Sequence, residues 1–537
     1  MKFNDLDKTA AYKNLMNLAH AGGTAAFRLS AAMTAERVEK CTVPLAAGLN
    51  FNWAARPVND EILKALAALS DEQELVSKYR SLSEGEIMNL TENRMVLHHL
   101  VRSPDGKSVT GKQVIGGDRD IGAFYLGELK RFKTFAEKVR SGVIKPAPDK
   151  TFTAVCQIGI GGSDLGPRAM VLALRNWAKA EGIRQLRAEF ISNVDPDDAS
   201  AVSSDLPLPE TLFILVSKSG TTLETLTNEL FVKNKLKKAG LDPAKHMVAV
   251  TSETSPLAKN SGYLDSFYID DFIGGRYSSA SAAGGVIMSL AFGGDVFAKF
   301  LAGANEADRA ALEKDIFKNA ALLDALIGVW ERNFLGLPCT AVLPYSQGLS
   351  RFPAHLQQLD MESNGKRVNR EGRPLAYCTG PVVFGEPGTN GQHSFYQLLH
   401  QGTDVIPLQF VGFAETQLRD DIEVEGSDSQ TKLNANLAAQ IAAFAMGKKD
   451  NSGAKEFPGN RSSSLIYGKR LDAYSLGALL AHFENKVMFQ GFIWNINSFD
   501  QEGVQLGKVL AKKILQAKDG SCGDPVLDAY AGLLGIL

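Results

Sequence analysis

From about Thr151 the chain settles into a repeating pattern, in which short apolar runs alternate with longer segments whose apolar residues recur every three or four positions. The runs TFTAVCQIGI (151–160), RAEFISNV (187–194), TLFILVSKSG (211–220) and HMVAVTS (246–252) predict four successive strands. Between them, Pro167 to Glu181 and Leu223 to Ala239 carry helical periodicity. Alternation of this kind predicts βαβ units, right-handed crossovers and a largely parallel sheet. A second, less regular α/β stretch runs from about Ala320 to Phe413, with TAVLPYS, GPVVFG and DVIPLQFVGF as its strands. Helical segments are then expected from about Ser429 to the end, including Tyr474 to Phe489 and Gly503 to Ala517. The first hundred residues are rich in Ala, Leu, Glu and Lys at helical spacing and carry no functional motif.

Composition narrows the possibilities. A chain of 537 residues exceeds one ordinary domain and implies two or three packed units. No short-period repeat or Pro-, Gly- or Ser-rich linker separates free-standing parts. A net charge of −2 gives no global attraction to nucleic acid or to an anionic membrane, so an anion must be captured by a local site. The five cysteines (Cys41, Cys156, Cys339, Cys378 and Cys522) are scattered, which argues against a disulfide framework or structural zinc and for a reducing compartment. The N-terminus lacks the apolar core of a secretory signal. Ser278 to Gly294 is built of small residues suited to tight packing rather than to a bilayer span. A cytoplasmic protein is expected.

Two turns have the chemistry to hold a phosphate. Gly159-Ile160-Gly161-Gly162-Ser163-Asp164-Leu165-Gly166-Pro167 follows a predicted strand and opens a helix whose first turn tolerates Pro167. Glycines allow a sharp turn and close approach, and helix-end amides face an anion. A dinucleotide fingerprint is not met, because Asp164 stands where its third glycine belongs; Asp195 does lie where a ribose-binding acid would sit. The P-loop pattern is also absent. The second turn, Ser217-Lys218-Ser219-Gly220-Thr221-Thr222, precedes an amphipathic helix with Leu223, Leu226 and Leu230 on one face. Thr221 and Glu224 have capping-box spacing, and Ser217, Ser219 and Thr222 add hydroxyls beyond what a cap needs. Two such turns at the ends of parallel strands favour phosphate binding.

Four further segments concentrate polar residues: Gly274-Gly275-Arg276-Tyr277-Ser278, Gln358 to Lys366, Gly388 to His393, and Phe499 to Lys508. Individually each has an ordinary explanation as a solvated turn. Together, GIGGSDLGPRA, SKSGTTLET, GGRYS, MESNGK, GEPGTNGQHSFYQLLHQG and FDQEGVQLGK resemble the glucose-6-phosphate isomerase family, in its order and across roughly two thirds of the chain. Two departures stand out: Ser219-Gly220 where many members have Thr-Phe, and Glu502 where many have Trp.

The resemblance implies an α/β fold of two sugar-isomerase (SIS) type subdomains with parallel-rich sheets flanked by helices, plus helical N- and C-terminal extensions. The expected divisions are 1–110, 111–300, 301–508 and 509–537. It implies a homodimer acting on a sugar phosphate, with no metal or other cofactor. The phosphate site would comprise Ser163, Ser217, Lys218 (through its backbone amide), Ser219 and Thr222, with Gly220 and Thr221 in the same turn. Gly162, Gln358 and Gln501 would line the sugar pocket. Glu362 would be the isomerising base, Arg276 the cation stabilising an enediolate, and His393 and Lys508 the ring-opening pair, His393 coming from the neighbouring subunit. A non-catalytic sugar-phosphate-binding regulator is the alternative, and a nicotinamide dehydrogenase is disfavoured by Asp164.

Overall fold

The computed structural model describes residues 1–20, 27–260, 262–517 and 520–537. It divides into two compact units, Met1–Ser498 and Phe499–Leu537. Helices dominate the first hundred residues, but two antiparallel strand pairs interrupt them, a short one between Ile87–Asn89 and Arg94–Met95 and a longer hairpin that joins a larger sheet. Thr42–Ala46 (β1) and Leu49–Asn52 (β2) pair antiparallel across Ala47 and Gly48. Both turn residues have positive φ, 52° and 74°, as a two-residue hairpin turn demands.

The predicted parallel sheet is present and has five strands: Ala154–Ile158 (β3), Arg187–Ile191 (β4), Thr211–Val216 (β5), Met247–Thr251 (β6) and Ser266–Tyr268 (β7). Their order is β7-β6-β5-β3-β4, and every pairing is parallel. The short β7 lies outside the predicted set. Every residue of β3, β5 and β6 is buried, as a sheet covered on both faces requires. The helices Ile121–Arg140 (α1), Leu165–Ala180 (α2), Leu223–Lys238 (α3) and Ala282–Phe292 (α4) surround it. Ala154, Cys156 and Ile158 pack with Val232 and Leu236 of α3, while α4 packs with α1, α2 and β3. All of α4 is buried, in keeping with the small residues expected to pack there. Among the described residues no helix is long and apolar enough to cross a membrane.

Two features of α3 correct the sequence reading. The capping box for which Thr221 and Glu224 are spaced does not form: Thr222 is the N-cap, and its side chain makes no cap bond. Leu223 and Leu230 are exposed, at 56% and 61%, so the apolar stripe is not the inward face. Thr225, Asn228, Glu229, Val232 and Leu236 are buried instead. Asn228 and Glu229 are tolerated because they are paired: the Asn228 amide donates to the Asn193 carbonyl at 2.8 Å, and Glu229 accepts from the Tyr263 hydroxyl and pairs with Lys233.

The second sheet contains Cys339–Pro344 (β8), Val382–Phe384 (β9), Leu408–Phe413 (β10) and Ser463–Gly468 (β11). Its order is β1-β2-β11-β10-β8-β9; the hairpin joins antiparallel through β2, and the other four strands are mutually parallel. β11 falls in a stretch expected to be helical. Its first residues are serines: the Ser464 hydroxyl accepts from Arg56 at 2.8 Å, and the Ser463 backbone amide donates to the Ala55 carbonyl at 2.9 Å.

The helix Ala473–Ile493 (α5) opens on a reciprocal capping box between Asp472 and Ser475, and nearly all of it is buried. It carries charge into the interior. Glu484 pairs with Arg102, whose guanidinium also grips both oxygens of Asp308 at 3.0 Å. On either side of Glu484 in sequence, His482 and Lys486 both lie 3.2 Å from Asp324, and Lys486 also donates to Gln409 of β10 at 3.0 Å. Burial alone would raise the Asp324 carboxyl, but Lys486, His482 and Arg56 more than offset this and hold it below the usual range. The C-terminal unit consists mainly of the helices Gln505–Leu515 and Pro525–Leu533, the second capped by Asp524.

Candidate functional site

β3 and β5 are neighbours in register, Ala154 opposite Thr211 and Ile158 opposite Leu215. The turns that follow them therefore emerge side by side at the carboxyl edge of the sheet, where ligands of open parallel sheets bind. The Ser217–Thr222 turn is knit by its own hydroxyls. Ser217 donates to Thr222 at 3.1 Å and accepts from the Gly220 amide at 3.2 Å, and Ser219 accepts from the amide and hydroxyl of Thr221 at 3.2 and 3.1 Å. Ser217 and Gly220 are buried, whereas Ser219 and Thr221 are exposed.

The Lys218 side chain turns away from these hydroxyls. Its ammonium donates to the Ile273 carbonyl at 3.1 Å and lies 3.8 Å from Asp271. Burial pulls its pKa down despite Asp271, so this ammonium is committed to the 271–273 segment and only the backbone of Lys218 remains for the turn.

Gly220 has φ +67°, and a Cβ there would stand 2.3 Å from the Ser255 hydroxyl. Ser255 itself accepts from Thr251 at 2.7 Å. The space of a larger side chain is thus already taken by the Ser255–Leu257 segment that follows β6, which accounts for glycine at this departure from the common motif. Gly220→Ala is expected to cost about 1–2 kcal/mol, read as a lowered denaturation midpoint.

The first turn is set by close backbone approach. A Cβ on Gly162 would lie 2.1 Å from the Gly275 carbonyl carbon and 2.7 Å from the Arg276 amide nitrogen. Only glycine lets the Gly159–Ser163 and Gly274–Arg276 turns touch in this way. On its other side, Gly161 approaches the Gln358 side-chain nitrogen. Ser163 is half-buried, and its carbonyl accepts from Gln157 at 2.7 Å. Asp164, the residue that breaks the dinucleotide fingerprint, pairs with Arg168 at 2.7 Å. Asp195 caps the helix Pro196–Asp205, which gives it a structural use instead of ribose binding.

Gln358 and Glu362 bound a π-helical turn that continues the helix Phe352–Gln357 after β8; such turns recur at functional sites. Glu362 Oε2 lies 3.4 Å from Nη1 of Arg276, and its side chain is 18% exposed. Arg276 is 1% exposed, with Nε donating to the Ser363 hydroxyl at 2.6 Å and Nη2 to the Ser498 carbonyl at 2.7 Å. Asp360 on the same turn is pushed up to about 6 by burial, partly offset by Lys486 and Asn364.

Gly162, Arg276, Gln358 and Glu362 are thus brought together with the hydroxyl-rich turn, linked through Lys218 and Ile273. His393 ends a short 3₁₀ turn after β9 and is exposed. Gln501 and Lys508 belong to the C-terminal unit and are exposed there. Sequence reasoning missed Ser363, Tyr277 and Ser498 as partners of Arg276. Ser363 and Tyr277 do fall inside the motifs MESNGK and GGRYS, but nothing in those strings distinguishes them.

A doubly sheeted α/β frame, a hydroxyl-lined turn at its strand ends and a buried arginine against a carboxylate define an α/β protein built for a small anionic ligand. The chain belongs to the phosphoglucose isomerase family, whose model matches residues 52–528. It is 60% identical to the glucose-6-phosphate isomerase of Treponema denticola, over 96% of this chain and 97% of that one. It is 58% identical to that of Treponema pallidum, over 100% and 99%. The crystal structure of a glucose-6-phosphate isomerase from Chlamydia trachomatis superimposes with a TM-score of 0.90 at 39% identity, covering 99% of this chain and all of that one. A hypothetical protein from Thermus thermophilus matches with a TM-score of 0.64 at 26% identity, over 85% of this chain and 98% of its own.

Proposed function

We propose that the chain interconverts D-glucose 6-phosphate and D-fructose 6-phosphate through a cis-enediol, with Glu362 as the base that serves both carbons. The observation that carries this reading is the Glu362 carboxylate at 3.4 Å from the buried Arg276 guanidinium, beside the glycine turns. In the aldose-to-ketose direction, Glu362 takes the proton from carbon 2 and returns it to carbon 1, while a hydroxyl proton passes from O2 to O1. Negative charge gathers on the enediol oxygens between these steps. A fixed, preorganised cation such as Arg276 stabilises that charge without reorganisation.

The phosphate is held by Ser163, Ser217, the Lys218 backbone amide, Ser219 and Thr222, with Gly220 and Thr221 completing the turn; Gly162, Gln358 and Gln501 face the sugar. His393 and Lys508 open the ring before isomerisation. His393 serves the neighbouring subunit of a homodimer, a reading supported by its exposure in the single chain. The C-terminal unit leaves Leu506, Val509, Leu515, Leu533 and Leu534 exposed, which suits an assembled protein. The five-stranded and six-stranded sheets are the cores of the two sugar-isomerase subdomains, and the protein works in the cytoplasm, in glycolysis and gluconeogenesis.

The test is conversion of fructose 6-phosphate to glucose 6-phosphate by purified protein in the presence of a chelator and without added cofactor. Sustained turnover is the expected result. Binding of the sugar phosphate without turnover would overturn the assignment and point to the regulator.

A further inference from the structure

The structure assigns Ser363 a positioning role: its hydroxyl, within a closed loop of hydrogen bonds, aims the Arg276 guanidinium at the site where the enediolate forms. This rests on the reading of Arg276 as the cation that meets that charge. The loop has four members. Arg276 Nε donates to Ser363 Oγ at 2.6 Å, Ser363 and the Tyr277 hydroxyl are 2.8 Å apart, Tyr277 reaches the Ser498 carbonyl at 3.5 Å, and that carbonyl accepts Arg276 Nη2 at 2.7 Å. The directions are mutually consistent when Ser363 donates to Tyr277 and Tyr277 donates to Ser498. Each hydroxyl then both gives and accepts a bond.

All four residues are essentially buried, so water does not replace a lost partner cheaply. The loop is braced from outside. The Tyr277 ring stacks on His98 with centroids 4.6 Å apart. Ser498 Oγ donates to Asn364 at 2.7 Å, and Asn364 in turn donates to the Val487 carbonyl of α5 at 3.1 Å. Two guanidinium nitrogens are thereby fixed to the frame, and the third, Nη1, is directed at Glu362. Ser363 follows Glu362 in the chain, so one helical turn presents the base and orients the cation facing it. An arginine held this way meets developing charge without first being immobilised.

The experiment compares Ser363→Ala with the unaltered protein. It measures kcat, KM, and the affinities of a hydroxamate mimic of the enediolate and of an alditol 6-phosphate that carries no such charge. The expected result is a kcat lower by about 10–100-fold, the scale of a lost hydrogen bond to a charged group. The hydroxamate should weaken in step, with KM and alditol phosphate affinity largely unchanged. A normal kcat, or an equal loss of affinity for both ligands, overturns the proposal. If Ser363→Ala does not fold, Tyr277→Phe decides: a several-fold fall in kcat and hydroxamate affinity supports the loop, and no change overturns it. Arg276→Lys is run in parallel. Full activity there overturns the reading of Arg276 itself, whereas an impaired Arg276→Lys beside a normal Ser363→Ala overturns only the role of Ser363.

Discussion

Replacing Glu362 by glutamine is expected to lower kcat by about 10²–10⁴-fold while leaving the affinity for fructose 6-phosphate largely intact. The substitution keeps the shape of the side chain and removes the carboxylate proposed to accept a proton from carbon. It disturbs little else. Among the described residues Glu362 Oε2 makes no hydrogen bond, and Arg276 stays anchored through Ser363 and the Ser498 carbonyl. Steady-state rates, combined with direct binding of the sugar phosphate, separate the two effects. A glutamine variant of near-normal rate would remove Glu362 from the mechanism.

The second large effect concerns stability. Arg102→Met is expected to destabilise the protein by about 3–5 kcal/mol, measured by denaturant unfolding, because it strips the partner from two buried acids at once. Arg102, Asp308 and Glu484 are completely buried, and burial already pushes the Asp308 carboxyl upward against the pull of Arg102. Without the guanidinium, the Asp308 carboxylate is left with the Asn485 amide at 2.9 Å among the described residues. Methionine fills much of the arginine's volume, so the loss reports the stranded charge more than a void. An unfolding free energy within 1 kcal/mol of the original would mean that the acids accept protons or water at little cost.

The parts of the fold that could be read from the sequence are those in which apolar side chains alone decide. The strands β3, β5 and β6 are buried end to end, and their apolar runs announce them. β11 is equally buried at its start, yet it opens on two serines, and its place in the sheet depends on Arg56 and Ala55, some four hundred residues away in sequence. The inward face of α3 was misread for the same reason: Asn228 and Glu229 are acceptable inside only because Asn193, Tyr263 and Lys233 meet them. β7, at three residues, is too short to carry a pattern.

At the site, motif chemistry supplied the glycine turns, the hydroxyls, Arg276 and Glu362. What composition and spacing did not contain is the convergence, such as the contact of Gly162 with Gly275. Ser363 shows the limit most sharply. It sits beside Glu362 in plain view, but its importance lies in the direction of one hydroxyl.

The helix α5 has a mechanical consequence. One of its acids, Glu484, is tied to Arg102, which also holds Asp308. Two residues on, Lys486 is tied to Asp324 and to Gln409 of the second sheet. Drawing α5 away from either set of partners would strand several buried charges at once. Ser498 bonds to Asn364 and Asn364 to the Val487 carbonyl of this same helix, so the base and cation proposed above would both stand on the part of the frame that α5 clamps, keeping their separation while the sugar ring opens, changes and closes.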